Sequence, residues 1–135
     1  MKHSIKLMLA ASALACFGSA QAEIVVIVNA KHSASSMTAE EVANVFLGKS
    51  SGFAPADLPE QAGTRDEFYK KVTGKDLTQV KSMWARLIFT SNAQPPKQMS
   101  SAEEAVKFVA SNDKGIAYVE KAALDPSVKA VLTIQ

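Results

Sequence analysis

Cysteine and histidine are nearly missing from this 135-residue chain, which has one cysteine, Cys16, and two histidines, His3 and His32. Cys16 and His3 both fall in an N-terminal stretch that reads as a leader. Residues 23–135 therefore carry no cysteine, which excludes a disulfide framework, a cysteine metal site and a thiol nucleophile. His32 alone cannot assemble a metal cluster, so no metal is expected. No basic run argues for nucleic acid or an anionic membrane surface. No apolar run reaches the roughly 20 residues that span a bilayer. Phosphate-binding P-loops and dinucleotide fingerprints are absent, and no G-x-S-x-G elbow surrounds Ser33, Ser35 or Ser36. The pairs Glu40-Glu41 and Glu103-Glu104 sit in first helical turns, where negative charge favours the helix dipole rather than acid–base work. Neither an enzyme nor a cofactor is expected.

What is present begins with the leader. Lys2 and Lys6 precede and interrupt an apolar stretch from Ile5 to Phe17, and Gly18-Ser19-Ala20-Gln21-Ala22 ends in small residues. This is the pattern of a secretory signal peptide cleaved after Ala22. Ala13-Leu14-Ala15-Cys16 is a poor lipobox, because its leucine stands one place too close to the cysteine. Soluble release is therefore favoured over a lipid anchor at Cys16. Residues 23–135 have the size of one domain. Losing Lys2 and Lys6 leaves 13 basic against 13 acidic residues, a near-neutral mature chain.

Along that domain the spacing of apolar residues predicts alternating strands and helices. Glu23 to Asn29 contains five consecutive β-branched residues, a strand buried on both faces of a parallel or mixed sheet. Thr38-Ala39-Glu40-Glu41 is a capping box ahead of Val42, Val45 and Phe46, and Gly48 ends that helix. A short strand is expected near Ala54 to Leu58. A helix starting at Thr64, with Phe68 and Val72 on one side, closes at Gly74. A longer one runs from Leu77 to Phe89 with Val80, Trp84, Leu87 and Ile88 as its apolar stripe. Pro95-Pro96 forbids its continuation. Ser101 to Glu104 caps a further helix with Ala105, Val106 and Val109 inward. Ile116 to Val119 and Val128 to Ile134 are the last strands. The order indicates one three-layer α/β domain, a mixed sheet flanked by helices.

Chemistry can then reside only at helix starts that follow strands. Ser35-Ser36 precedes one helix, Gly63-Thr64-Arg65 opens another, and Ser100-Ser101 a third. Hydroxyls and exposed N–H groups there suit an oxyanion. The same residues also read as ordinary caps, and Thr64 with Glu67 fits a capping box.

Several segments together resemble periplasmic phosphate-binding proteins of ABC transporters. Val45-Phe46-Leu47-Gly48-Lys49 resembles their I-F-L-G-K segment, and Ala62-Gly63-Thr64 followed by Phe68 resembles their G-S-G-T…F phosphate loop. Gly115 to Val119 resembles G-A-I-G-Y-V, and Ala85 to Phe89 followed by Gln94 to Lys97 resembles a short secreted subgroup. The resemblance implies a single lobe of a type II periplasmic-binding fold in the periplasm, with phosphate or a related oxyanion as a weakly held ligand. Gly63 and Thr64 correspond to phosphate-contacting positions, with Arg65, Ser35 and Ser36 as helpers. Two departures stand out: no arginine precedes the loop, and Ala62 replaces its serine. Without a second lobe, a homodimer or an envelope protein such as a sensor or porin is the alternative partner, with the chain as an adaptor that keeps only the fold.

Overall fold

A computed structural model describes residues 22–135; residues 1–21, nearly all of the stretch read as a signal peptide, lie outside the described residues. The β-branched run forms strand β1 (Ile24–Asn29), and all six residues are buried, as a strand covered on both faces requires. The other strands are β2 (Ala54–Asp57), β3 (Lys97–Gln98), β4 (Gly115–Glu120) and β5 (Val128–Ile134). They form one five-stranded sheet in the order β3-β2-β4-β1-β5. β2 is parallel to β3 and β4, whereas β1 runs antiparallel to β4 and β5. The sheet is mixed, as expected. Only the two-residue β3 was not anticipated, because so short a strand after two prolines has no periodicity to detect.

Four α-helices cover the sheet: α1 (Ala39–Phe46), α2 (Gly63–Thr73), α3 (Leu77–Ser91) and α4 (Ala102–Ser111). Their ends follow local chemistry. Thr38 and Glu41 make both halves of the expected capping box on α1. Asp76 and Gln79 do the same on α3, a box the sequence reading passed over. Ser101 Oγ accepts the Glu104 N–H at the start of α4. Gly74 closes α2 in the left-handed conformation that glycine adopts without strain.

One start differs from expectation. Thr64 does not cap α2, because the helix begins at Gly63 with Ala62 in the cap position and no side-chain cap bond. Thr64 Oγ1 instead donates to Glu120 Oε1 at 3.2 Å, reaching across to the end of β4. Glu67, the other half of the supposed box, pairs with Lys71 at 2.7 Å.

The buried aromatic rings gather where α1 and α2 meet β4. Phe68 stacks on Tyr118 with ring centres 3.8 Å apart and planes 7° from parallel. Phe46 meets Phe68 edge-on at 4.9 Å, the geometry aromatic quadrupoles favour. Trp84 Nε1 donates to the Phe46 carbonyl at 3.1 Å, joining α3 to the end of α1. α3 thus packs through Val80 and Trp84, which are buried. Ile88, expected in the same stripe, is 44% exposed, and Phe89 beside it is 92% exposed. The helix runs two residues longer than expected, to Ser91, and its last four residues are exposed.

β5 carries a bulge: between Val26–Leu132 and Ile27–Ala130 the register skips Val131. The Val131 carbonyl accepts the Met37 N–H at 2.9 Å, outside the regular ladder.

Gly115 opens β4 where the chain leaves α4, and a Cβ there would stand 2.9 Å from Val109 Cα and 3.1 Å from the Asn112 carbonyl. Both neighbours are backbone and cannot give way. Gly115→Ala is expected to lower stability by about 1–3 kcal/mol through overpacking, read as a lower urea midpoint. An unchanged midpoint would contradict this account of the α4–β4 junction.

Candidate functional site

The chain's loops place two constellations at the same end of the sheet. β2 and β4 are parallel, and their C-terminal ends open onto the first turns of α2 and α4. Between these turns lies a cavity of about 810 Å³. This is the crevice where open α/β sheets gather ligands. Thr64, Ser100 and Ser101 bring hydroxyls to it, and Leu58, Ala62 and Val106 line it with apolar surface. Its charged groups are Glu103, Glu120 and Asp125 against the one cation Lys107.

At the α2 start, Gly63 and Thr64 occupy the first two helical positions, whose N–H groups lack an intrahelical acceptor. No side chain caps them. A Cβ at Gly63 would meet nothing within 4 Å, so packing does not demand a glycine there. Gly63 is exposed, while its neighbours Ala62 and Thr64 line the cavity.

The other predicted residues lie elsewhere. Ser35 and Ser36 are exposed and follow β1, whose end meets the start of β4 rather than Glu120. Asn29, at that end, donates from Nδ2 to the carbonyls of Val109 and Ala110 in the last turn of α4. The cavity lies at the first turn of α4, so both serines are remote from Thr64. Arg65 follows Thr64 in sequence but turns inward and is 8% exposed. The structure thus places Thr64 on the cavity beside the exposed Gly63, and Arg65, Ser35 and Ser36 away from it. The antiparallel direction of β1 explains the serines, since it carries the following loop to the far end of the sheet.

Arg65 belongs to a buried polar cluster that sequence reasoning missed. Asp57, at the end of β2, is 4% exposed. Its carboxylate accepts from Tyr69 Oη at 2.9 Å to each oxygen and from Tyr118 Oη at 2.7 Å. Arg65 Nη2 stands 3.8 Å from Oδ2, while Nη1 donates to the Leu58 carbonyl at 3.1 Å and to Gln98 Oε1 at 3.3 Å. The Tyr118 oxygen also accepts the Leu58 N–H at 3.2 Å. Burial pushes Asp57 above its ordinary value, against the opposing Arg65 charge and the two phenol bonds. Burial, with the Asp57 charge beside them, pushes both phenols far above theirs, so they remain donors. The signal available was the one charged residue, Asp57, within the run Ala54 to Leu58.

No family model matches the chain, and no curated protein matches it. Solved structures do. A protein assigned as a phosphate ABC transporter substrate-binding protein from Clostridium perfringens, with bound phosphate, superposes with TM-score 0.65 at 20% identity. The match covers 82% of this chain and 45% of that one. An ABC-type phosphate transport receptor from Vibrio cholerae gives 0.62 at 16% identity, over 82% and 46%. The fold is that of one phosphate-binding-protein lobe. A protein from Planctomyces limnophilus assigned to phosphate binding agrees, with TM-score 0.57, 18% identity, and 82% and 41% coverage. The chain therefore spans less than half the length of these neighbours, which are binding proteins rather than enzymes. Among the described residues of this lobe, no three His, Cys, Asp or Glu side chains gather as a metal site, and no helix is long and apolar enough to cross a membrane.

The Asp57 cluster makes a signed prediction. A carboxyl whose folded value is raised holds its proton to higher pH folded than unfolded. Its contribution is fully present below the ordinary aspartate value and is lost as pH rises through the folded one. Asp125, held low by the Ser127 hydroxyl and N–H, behaves oppositely. Carboxyl-carbon NMR titration is expected to place the Asp57 midpoint above, and Asp125 below, the reference of about 3.9. Tyr69→Phe, which removes a donor from a buried carboxylate, is expected to raise the Asp57 midpoint further and cost about 1–3 kcal/mol. An Asp57 midpoint at or below that of Asp125 would refute this reading.

Proposed function

We propose that residues 23–135 form a periplasmic, solute-binding-like lobe that takes phosphate or a related oxyanion weakly at the first turn of α2. The carrying observation is the start of α2, uncapped by any side chain and reaching the 810 Å³ cavity through Ala62 and Thr64. N–H groups at a helix start attract anions through their partial positive charge. The Thr64 hydroxyl adds a donor once it releases Glu120. The resemblance of Ala62-Gly63-Thr64 to a phosphate loop, and the bound phosphate in the Clostridium neighbour, support the same seat.

Charge keeps this seat weak. Three carboxylates face it against one lysine, and Glu120 already holds the Thr64 hydroxyl. Arg65, the nearest strong cation in sequence, is directed to Asp57 and Gln98 instead. An open half-cleft also leaves ionic contacts screened by water.

That acidity favours one alternative. A carboxylate-rimmed cavity fits a basic surface on a protein partner, and a second copy or an envelope protein closing the cleft makes the lobe an adaptor. Light scattering on the eluted protein separates the cases: the adaptor reading expects a dimer or a captured partner, and oxyanion binding does not require either.

For the anion reading, calorimetric titration with phosphate and sulfate is expected to give a millimolar Kd, near the −4 kcal/mol scale. Glu120→Gln frees the Thr64 hydroxyl and removes one repelling charge, and is expected to tighten binding by about three- to tenfold. Gly63→Ala is expected to weaken binding without loss of thermal stability. Absence of heat with both anions, in wild type and Glu120→Gln alike, would end the proposal. The leader reading is checked separately, by N-terminal sequencing of periplasmic protein, with Glu23 expected first.

A further inference from the structure

Behind the Asp57 cluster lies a second groove, of about 420 Å³, which the oxyanion seat does not use. Its floor is Val80, Trp84 and Pro96, all buried, and its rim includes the exposed Ala85, Ile88 and Pro95. These make an indole, two prolines and aliphatic side chains facing one space. At one end the apolar walls stop, and Arg65, Gln98, Asp57 and Lys81 line the groove. Lys81 is already paired with Glu60 at 2.7 Å, so Arg65 is the cation of interest.

Arg65 is buried to more than nine-tenths, yet its donors are poorly used. Nε has no acceptor. Nη2 has only the 3.8 Å ion pair with Asp57, whose oxygens are already taken by the two tyrosine hydroxyls. Nη1 reaches into the groove end, where Gln98 Oε1 accepts at 3.3 Å. That bond is long, its acceptor is neutral, and Gln98 is exposed. A carboxylate oxygen in place of the Gln98 amide oxygen would be a stronger acceptor, since charge-assisted bonds to guanidinium are shorter and about twice as strong as neutral ones. Trp84 and Ile88 offer an apolar body a partly enclosed bed.

We infer that this groove binds a small amphipathic monocarboxylate, its apolar body on Trp84, Ile88 and Pro95 and its head group on Arg65 in the place of the Gln98 amide. The site is separate from the α2 seat: Thr64 lines the one cavity and Arg65 the other.

Trp84 is the chain's one tryptophan, so its emission reports on the groove directly. Titration of the full mature protein with 3-phenylpropionate is expected to shift that emission saturably. The uncharged 3-phenylpropionamide is expected to bind about tenfold or more weakly, the loss of one charge-assisted bond. Gln98→Glu places a tethered carboxylate on Arg65 and is expected to abolish the shift while raising the melting temperature. Ile88→Asp, at an exposed position, removes the apolar wall and is expected to abolish it as well. Millimolar phosphate and Thr64→Ala are expected to leave the acid's titration unchanged, so this site and the oxyanion seat fail or stand independently. No saturable shift, an amide that matches the acid, displacement by phosphate, or full binding in Gln98→Glu and Ile88→Asp would each overturn the inference.

Discussion

A single buried carboxylate organises this end of the molecule. Asp57 lies where β2 ends, and its oxygens are held by hydroxyls from α2 and β4 and faced by a guanidinium from α2. An isolated carboxylate at that depth would cost far more than the fold has to spare. Here every partner comes from an element that also lines a cavity. Tyr69 and Tyr118 belong to the aromatic stack under α1 and α2. Leu58, tied through its N–H to Tyr118 and through its carbonyl to Arg65, is the residue from which the chain turns toward Gly63. Removing the carboxylate would loosen both the turn that presents α2 and the wall of the groove behind it. A polar network of this kind is stiff when fully satisfied and costly when broken in part.

The same network decides where positive charge goes. Arg65 follows Thr64 directly, yet one residue along a helix turns a side chain by about 100°. Thr64 therefore faces the cavity and Arg65 the core. Two adjacent residues that look like one motif serve different surfaces, and the acidity of the cavity follows from that division.

Much of the architecture was readable before the structure. A run of β-branched residues marks β1, apolar spacing marks α1 and α4, and capping chemistry marks the start of α1. These signals are local, and local signals survive folding. What could not be read depends on contacts between distant residues. Thr64 gave up its capping role for Glu120, 56 positions away. Asp57 meets Tyr118 across 61 positions, and no window of sequence contains both. Ser35 and Ser36 matched the chemistry of an anion site but not its location, because only the direction of β1 in the sheet reveals which end they occupy. The resemblance of several motifs to a phosphate-binding lobe anticipated the fold that the solved structures share.

The skipped residue in β5 has a consequence for how this sheet meets other chains. A sheet has two edges, and each unpaired edge invites another chain to add to it. At one edge, Val131 breaks the ladder and turns its carbonyl to Met37, so an incoming strand finds neither regular spacing nor a free acceptor there. At the other edge β3 offers two residues behind a pair of prolines that cannot donate. Both margins are spoiled for edge-to-edge pairing by backbone means, in a stretch, residues 23–135, that has no cysteine and no charge excess. What limits strand addition thereby lies in the irregular parts of the sheet rather than in its core.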